Sequence, residues 1–215
     1  MKLWRWFAID HGRARIATRA ALADFLAREA SLVAQKTIVD YVHMKTRLAL
    51  NEFTREAAFR AAFDAGRAAS YAAVLGDLVA VVEAHLRGPA GARRSALPQA
   101  LAGLYAECLA RFDVPVPPAP ERAPEALARR LAQLQLAAPK SAADIAATSG
   151  NALFDLLPIH PSLRKEDREP VVEGARFLFM SRCQRLGERL GAAELIEELL
   201  ARDAAPAAAP GAAPR

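Results

Sequence analysis

Five residues in the first third of the chain have the types and spacing that could do chemistry. At 100° per residue Glu29, Lys36, Asp40, His43 and Arg47 fall in the same angular window as Leu22, Phe25, Leu26, Leu32 and Val33. A polar row along the centre of an apolar face is costly unless each charge finds a partner. The following segment supplies candidates: Arg60, Arg67 and His85 lie on the face centred on Tyr71, Val74, Leu78 and Val82. In an antiparallel pair Asp40 comes level with positions 63–67, so an Asp40–Arg67 or Asp40–Arg60 ion pair is expected. Three readings follow: an ion-pair network that sets helix register, a polar patch in a pocket between helices, or acid–base or metal chemistry on Asp40-x-x-His43. Di-iron bundles use that carboxylate–histidine spacing. They need a second such pair, and none occurs here, so no metal is assigned. A pocket of roughly 300 Å³ or more beside Asp40 and His43 would favour a ligand, and a dry paired network a scaffold.

Three other segments carry chemistry-bearing side chains. Trp4, Trp6 and Phe7 crowd beside Lys2 and Arg5 and hold both tryptophans of the chain. Aromatic rings next to cations suit a bilayer interface, and they equally suit the apolar end of a helical bundle. Trp4 and Trp6, two apart, cannot share one helical face. Farther on, Pro158-Ile159-His160-Pro161 holds His160 in a rigid corner near Arg164 and Lys165, a place for an anion or a partner contact or simply a turn before a helix. Ile145 to Gly150 matches the I-A-x-x-x-G spacing of a helix-turn-helix. The helix that would have to read DNA carries Asp155 and no basic residue, which argues against nucleic acid. There is no phosphate loop, dinucleotide fingerprint or nucleophile elbow, and no cofactor is expected.

The elements that must position these residues are helical. The chain has 215 residues, 53% of them hydrophobic, and 51 alanines against few β-branched residues. This composition favours helix over strand. Cys108 and Cys183 are too few for a disulfide framework and read as buried apolar groups. The net charge is +5, but 24 of the 29 basic residues are arginine, and no polybasic tract of the kind that grips phosphate occurs. All fourteen prolines follow residue 88. An all-α fold is therefore predicted: a long N-terminal helical hairpin over 1–88 with shorter helices packed against it. The hairpin helices are expected at 13–47 and 51–88, the second stopped at Gly88-Pro89. The region 89–203 is expected to hold helices at about 95–111, 124–137, 141–149, 151–157, 170–190 and 192–202, with a proline-rich connector at 112–124 and a capping signal at Ser141. An Ala/Pro tail follows from 204 to 215, with the composition of a disordered segment.

No catalytic constellation emerges. The leading expectation is a non-catalytic helical interaction or assembly protein with a protein partner, resting on a membrane surface if the N-terminal aromatics anchor it. The alternative is a small-ligand-binding bundle, or an enzyme, using the polar cluster on the first two helices. Residues 1–16 contain no uninterrupted apolar core of a secretory signal, and no run of uninterrupted apolar residues reaches spanning length. A cytoplasmic location is the expectation.

Overall fold

The computed structural model describes residues 14–203 apart from positions 48, 50, 51, 53, 54 and 117. Trp4, Trp6, Phe7 and the 204–215 tail lie outside the described residues. Among the described residues the architecture is all-α, with one isolated parallel bridge between Ile16 and Leu190 in place of any sheet. The helices are α1 (Arg19–Thr46), α2 (Ala57–Ala90), α3 (Leu97–Ala110), α4 (Pro124–Leu134), α5 (Ala142–Asp155), α6 (Arg168–Arg189) and α7 (Ala192–Asp203).

Local chemistry explains most of the boundaries. Thr18 caps α1, its hydroxyl accepting from the Ala21 amide, and Ser141 caps α5 by accepting from the Asp144 amide. Several boundaries differ from expectation: α1 starts at Arg19 rather than near 13 and α2 at Ala57 rather than near 51, and two further differences have a clear cause. Gly88-Pro89 does not end α2; the helix runs on to Ala90 and turns at Gly91, where φ is +54°. Proline near a helix end forfeits only one backbone hydrogen bond, so the stop falls where the backbone leaves the right-handed region. The short 3-10 turn Gly91–Ala96 then leads directly into α3. Gly150 likewise makes no turn: α5 is continuous through it, which removes the helix-turn-helix geometry. A Cβ at Gly150 would stand 3.2 Å from Val172 Cγ1, so the bare backbone is what lets α5 lie close on α6.

α1 and α2, joined by the short link 47–56, pack along each other, and both contact α6 and α5. The core divides in two. The larger cluster is built from the first half of α1, α2 from Tyr71 to Ala90, and α3, α6 and α7, with Leu127 and Leu131 of α4 and Ile145, Ala146 and Leu153 of α5. The smaller holds Ile38, Tyr41 and Val42 of α1 with Phe63, Phe154 and Leu157. α1 serves both by swinging its buried face. Leu22, Phe25, Leu26 and Val33 are buried in its first half, and Ile38, Tyr41 and Val42 in its second. At 100° per residue the second set is rotated by roughly 150° from the first.

α2 is long and apolar enough to cross a membrane by length and composition, and 83% of its most apolar 18-residue stretch is buried within the molecule. Asp77, Glu83 and Arg87 interrupt it, all of them buried.

Candidate functional site

The rotation of α1 relocates the polar row. Glu29 stays inside, 3% exposed, between Arg28 Nη2 at 2.9 Å and Arg182 Nη1 at 3.5 Å. Lys36, Asp40, His43 and Arg47 lie on the exposed surface. The expected Asp40–Arg67 and Asp40–Arg60 pairs do not form, because Asp40 has turned away from α2. Its carboxylate instead accepts from Lys36 Nζ at 2.7 Å, one helical turn back, in an open pair. Arg60 is exposed on α2. Arg67 is buried as expected, but its guanidinium meets Asp113 at 3.1 Å and Asp64 at 3.6 Å.

Between the second half of α1 and the first half of α6 lies a groove of about 420 Å³. Tyr41, Met44, Val171, Phe177 and Leu178 form its apolar walls, and Lys36 and Asp40 belong to its margin. His43 is not among the lining residues. Phe177 is 78% exposed and Met44 47%, and Met180, one turn along α6 from Phe177, is 43% exposed. Asp167, immediately before α6, closes one end. It accepts from the Tyr41 hydroxyl at 2.7 Å and pairs with Lys45 Nζ at 2.5 Å. Those two donors hold its carboxyl below the usual carboxylate range, while burial and then the Asp167 carboxylate push the Tyr41 hydroxyl up. This knot ties α1 to α6, and Thr37 adds a hydroxyl to the otherwise mostly apolar lining.

A second cleft, of about 660 Å³, lies between α1, α2 and the end of α3. Arg67 sits in its wall, 6% exposed, with its guanidinium 5.3 Å from the Phe112 ring centroid. Phe112 in turn stacks on Tyr71, centroids 4.0 Å apart. Arg111 pairs with Asp24 at its mouth, at 2.8 Å. Each arginine here has a carboxylate, which is how a structural network satisfies buried charge. Arg67 Nε makes no hydrogen bond among the described residues.

The proline corner is a structural joint. His160 Nδ1 stands 2.7 Å from the Ser162 hydroxyl, capping a turn, and the ring is exposed. Arg164 donates to the carbonyls of Phe154 and Asp155, the last turn of α5, and lies over the Phe154 ring. A cation on carbonyls at a helix C-terminus is favoured by the helix dipole.

Sequence reasoning missed the two most buried acids. Asp77 is fully buried and accepts from Arg130 Nη2 at 2.6 Å and the Ser149 amide at 2.9 Å. Burial raises its carboxyl, against the pull of Arg130. Glu83, also fully buried, holds Arg87 at 2.6 Å and accepts from Gln135 at 2.8 Å, and Arg87 donates to the Ala137 carbonyl. The signal was present as two acids inside the apolar stretch of α2. Arg87 lies four positions from Glu83, but Arg130 and Gln135, 53 and 52 positions away on or beside α4, could not be read from it. Among the described residues no three His, Cys, Asp or Glu side chains gather as a metal site requires.

Comparison with protein-family models, curated proteins and solved structures returns no match to this chain.

Proposed function

We propose that this chain is a non-catalytic helical interaction protein whose α1–α6 groove receives apolar side chains of a protein partner. One observation carries the reading: an exposed phenylalanine, Phe177, lines an apolar groove with Met44, and the exposed Met180 lies one turn farther along α6. Large exposed apolar groups gathered at one place mark interaction surfaces, and methionines suit them because they repack around varied shapes. At about 420 Å³ the groove falls within the size range of small-ligand pockets. Its polar groups, however, are the Thr37 hydroxyl, the solvated Lys36–Asp40 pair and an Asp167 already engaged by two donors. Both carboxylates are thus already paired with a lysine, which argues against proton transfer in the groove.

A photo-crosslinking residue at position 177, introduced in cells, tests the reading. It should give a discrete heteroadduct that the exposed position 125, on α4, does not give. Absence of any adduct to another protein from position 177 overturns the reading.

A second reading rests on a different observation. The larger cleft contains buried Arg67 with an unused Nε donor beside an aromatic stack. A small planar anion would suit that arrangement. A thermal-shift titration with benzoate and indole-3-acetate, repeated on Arg67→Lys, tests it; no stabilisation of the native chain by either probe counts against it.

A further inference from the structure

The geometry points to the chain's own residues 1–13 as an occupant of the α1–α6 groove, seated with Trp4 and Trp6 against Phe177 and Met44. This inference rests on the reading of the groove as a site for apolar side chains. Three observations carry it.

The first is where the described chain begins. The Ile16 amide donates to the Arg189 carbonyl, the Gly191 amide donates to the Ile16 carbonyl, and Arg189 Nε donates to the Ala14 carbonyl. The segment is thus fastened to the end of α6, the helix that forms one wall of the groove. The Ile16–Leu190 pairing is parallel, so the chain read backward from Ile16 follows residues 190 to 189 read backward, in the direction of Phe177.

The second is reach. Phe177 lies twelve positions before Arg189, about 18 Å along the helix at 1.5 Å per residue. Trp6 is eight positions before Ala14, and an extended chain covers roughly 26–29 Å in that length. Trp4 has roughly 33–36 Å. Both rings are therefore within reach of Phe177.

The third is side-chain chemistry. Trp4 and Trp6 alternate with Arg5. That spacing spoils a helical face and suits an extended strand, where residues two apart project to the same side. Two tryptophans would enter the groove while Arg5 stays in water. The groove is mostly apolar inside and carries Lys36 and Asp40 at its margin, which accommodates such a segment. Docking of this kind makes the segment an intramolecular competitor for the partner's site.

Both tryptophans of the chain lie in this segment, so intrinsic fluorescence reports on it alone. The full-length protein is measured for emission maximum and iodide quenching, with parallel circular-dichroism melts. The expected result is blue-shifted emission and protection from iodide in the native chain. Phe177→Asp and Met44→Asp should each move emission and quenching to the values of free tryptophan amide, with the helical circular-dichroism signal and a cooperative melt retained because neither side chain belongs to the buried core. Leu136→Asp, 87% exposed and not among the groove-lining residues, should change neither. Free-tryptophan behaviour in the native chain overturns the inference, as does a blue shift that survives both groove substitutions. A shift lost on dilution assigns the groove to a second copy, and one that appears only with anionic phosphatidylserine vesicles assigns the segment to a lipid surface; either outcome overturns it. Heteroadducts from position 177 in cells, alongside exposed tryptophans in the purified chain, would leave the interaction reading standing while this inference falls.

Discussion

Truncating two aspartates in the same way should produce effects an order of magnitude apart. Asp77 has no exposed surface and holds Arg130 of α4 at 2.6 Å and the Ser149 amide of α5 at 2.9 Å, so one carboxylate on α2 fastens three helices. Asp77→Ala leaves the Ser149 amide, in a residue only 3% exposed, without its acceptor. It also leaves Arg130 without a counter-charge. Breaking a buried pair from one side costs about 3–5 kcal/mol. The Arg130 side chain is 34% exposed and can recover some hydration, which sets the expectation near the lower bound, about 3 kcal/mol. Asp40 and Lys36 form an i,i+4 pair with both side chains more than half exposed, 60% and 52%. Asp40→Ala should cost about 0.3–0.5 kcal/mol. For a chain of this length each kcal/mol moves Tm by about 2–4 °C. Asp77→Ala should therefore lower Tm by about 6–12 °C, and Asp40→Ala by no more than about 2 °C. Calorimetry at pH 7 gives Tm, and urea unfolding with equal m-values gives the free energies. An Asp77→Ala loss within about 0.5 kcal/mol, the range of an ordinary surface change, would refute the assignment of Asp77 as the fastening of α2, α4 and α5.

Glycine substitutions should split in sign. A Cβ at Gly66 would lie 2.6 Å from the Leu156 carbonyl oxygen, whereas Gly174, on α6, has nothing within 4 Å. Gly66→Ala should lower stability, since overpacking against backbone costs about 1–3 kcal/mol and outweighs a propensity gain of about 1 kcal/mol; Gly174→Ala should raise it by about that gain. Urea unfolding of the two variants checks this, and the same sign in both would contradict the packing. Burial pushes the Cys108 thiol up to about 11 and the Cys183 thiol up to about 12. At pH 8 neither should react with a disulfide reagent in the folded protein, and both should in urea; rapid native labelling would place a cysteine at the surface. The Asp167 carboxyl, held low by Lys45 and Tyr41, titrates below its unfolded value of 3.8. Its contribution is complete above that value and is lost as the pH falls through the folded value. Asp167→Asn should accordingly flatten the acid limb of a Tm-against-pH curve below about pH 4, and an acid limb identical to that of the unaltered chain would show that the α1–α6 knot adds nothing.

Much of the architecture was legible in the chain because its signals are local. The absence of proline before residue 89 left room for two long helices, Ser141 and Asp144 marked the start of α5, and Ala175, Phe179, Cys183 and Leu186 form the buried face of α6 that their spacing implies. Each depends on backbone geometry or on neighbours within one or two turns, which the order of residues determines by itself. The polar row on α1 was not legible in the same way. A single helical wheel superposes both halves of α1, but the helix buries one face in the large cluster and, after a turn of roughly 150°, another in the cluster around Ile38 and Phe63. Which face goes inside is decided by the helices that arrive on either side, so Asp40 reached solvent while Glu29, on the same stripe, did not. The same holds for the partners of Arg67 and Asp77: Asp113 is 46 positions from Arg67 and Arg130 is 53 from Asp77, whereas Glu83 meets Arg87 only four positions on. A buried charge announces from sequence that it needs a counter-charge, because desolvation is expensive everywhere in the interior. Which residue supplies it, and whether a groove opens beside Phe177, depends on how α4, α5 and α6 pack on the hairpin, and only the tertiary structure decides that.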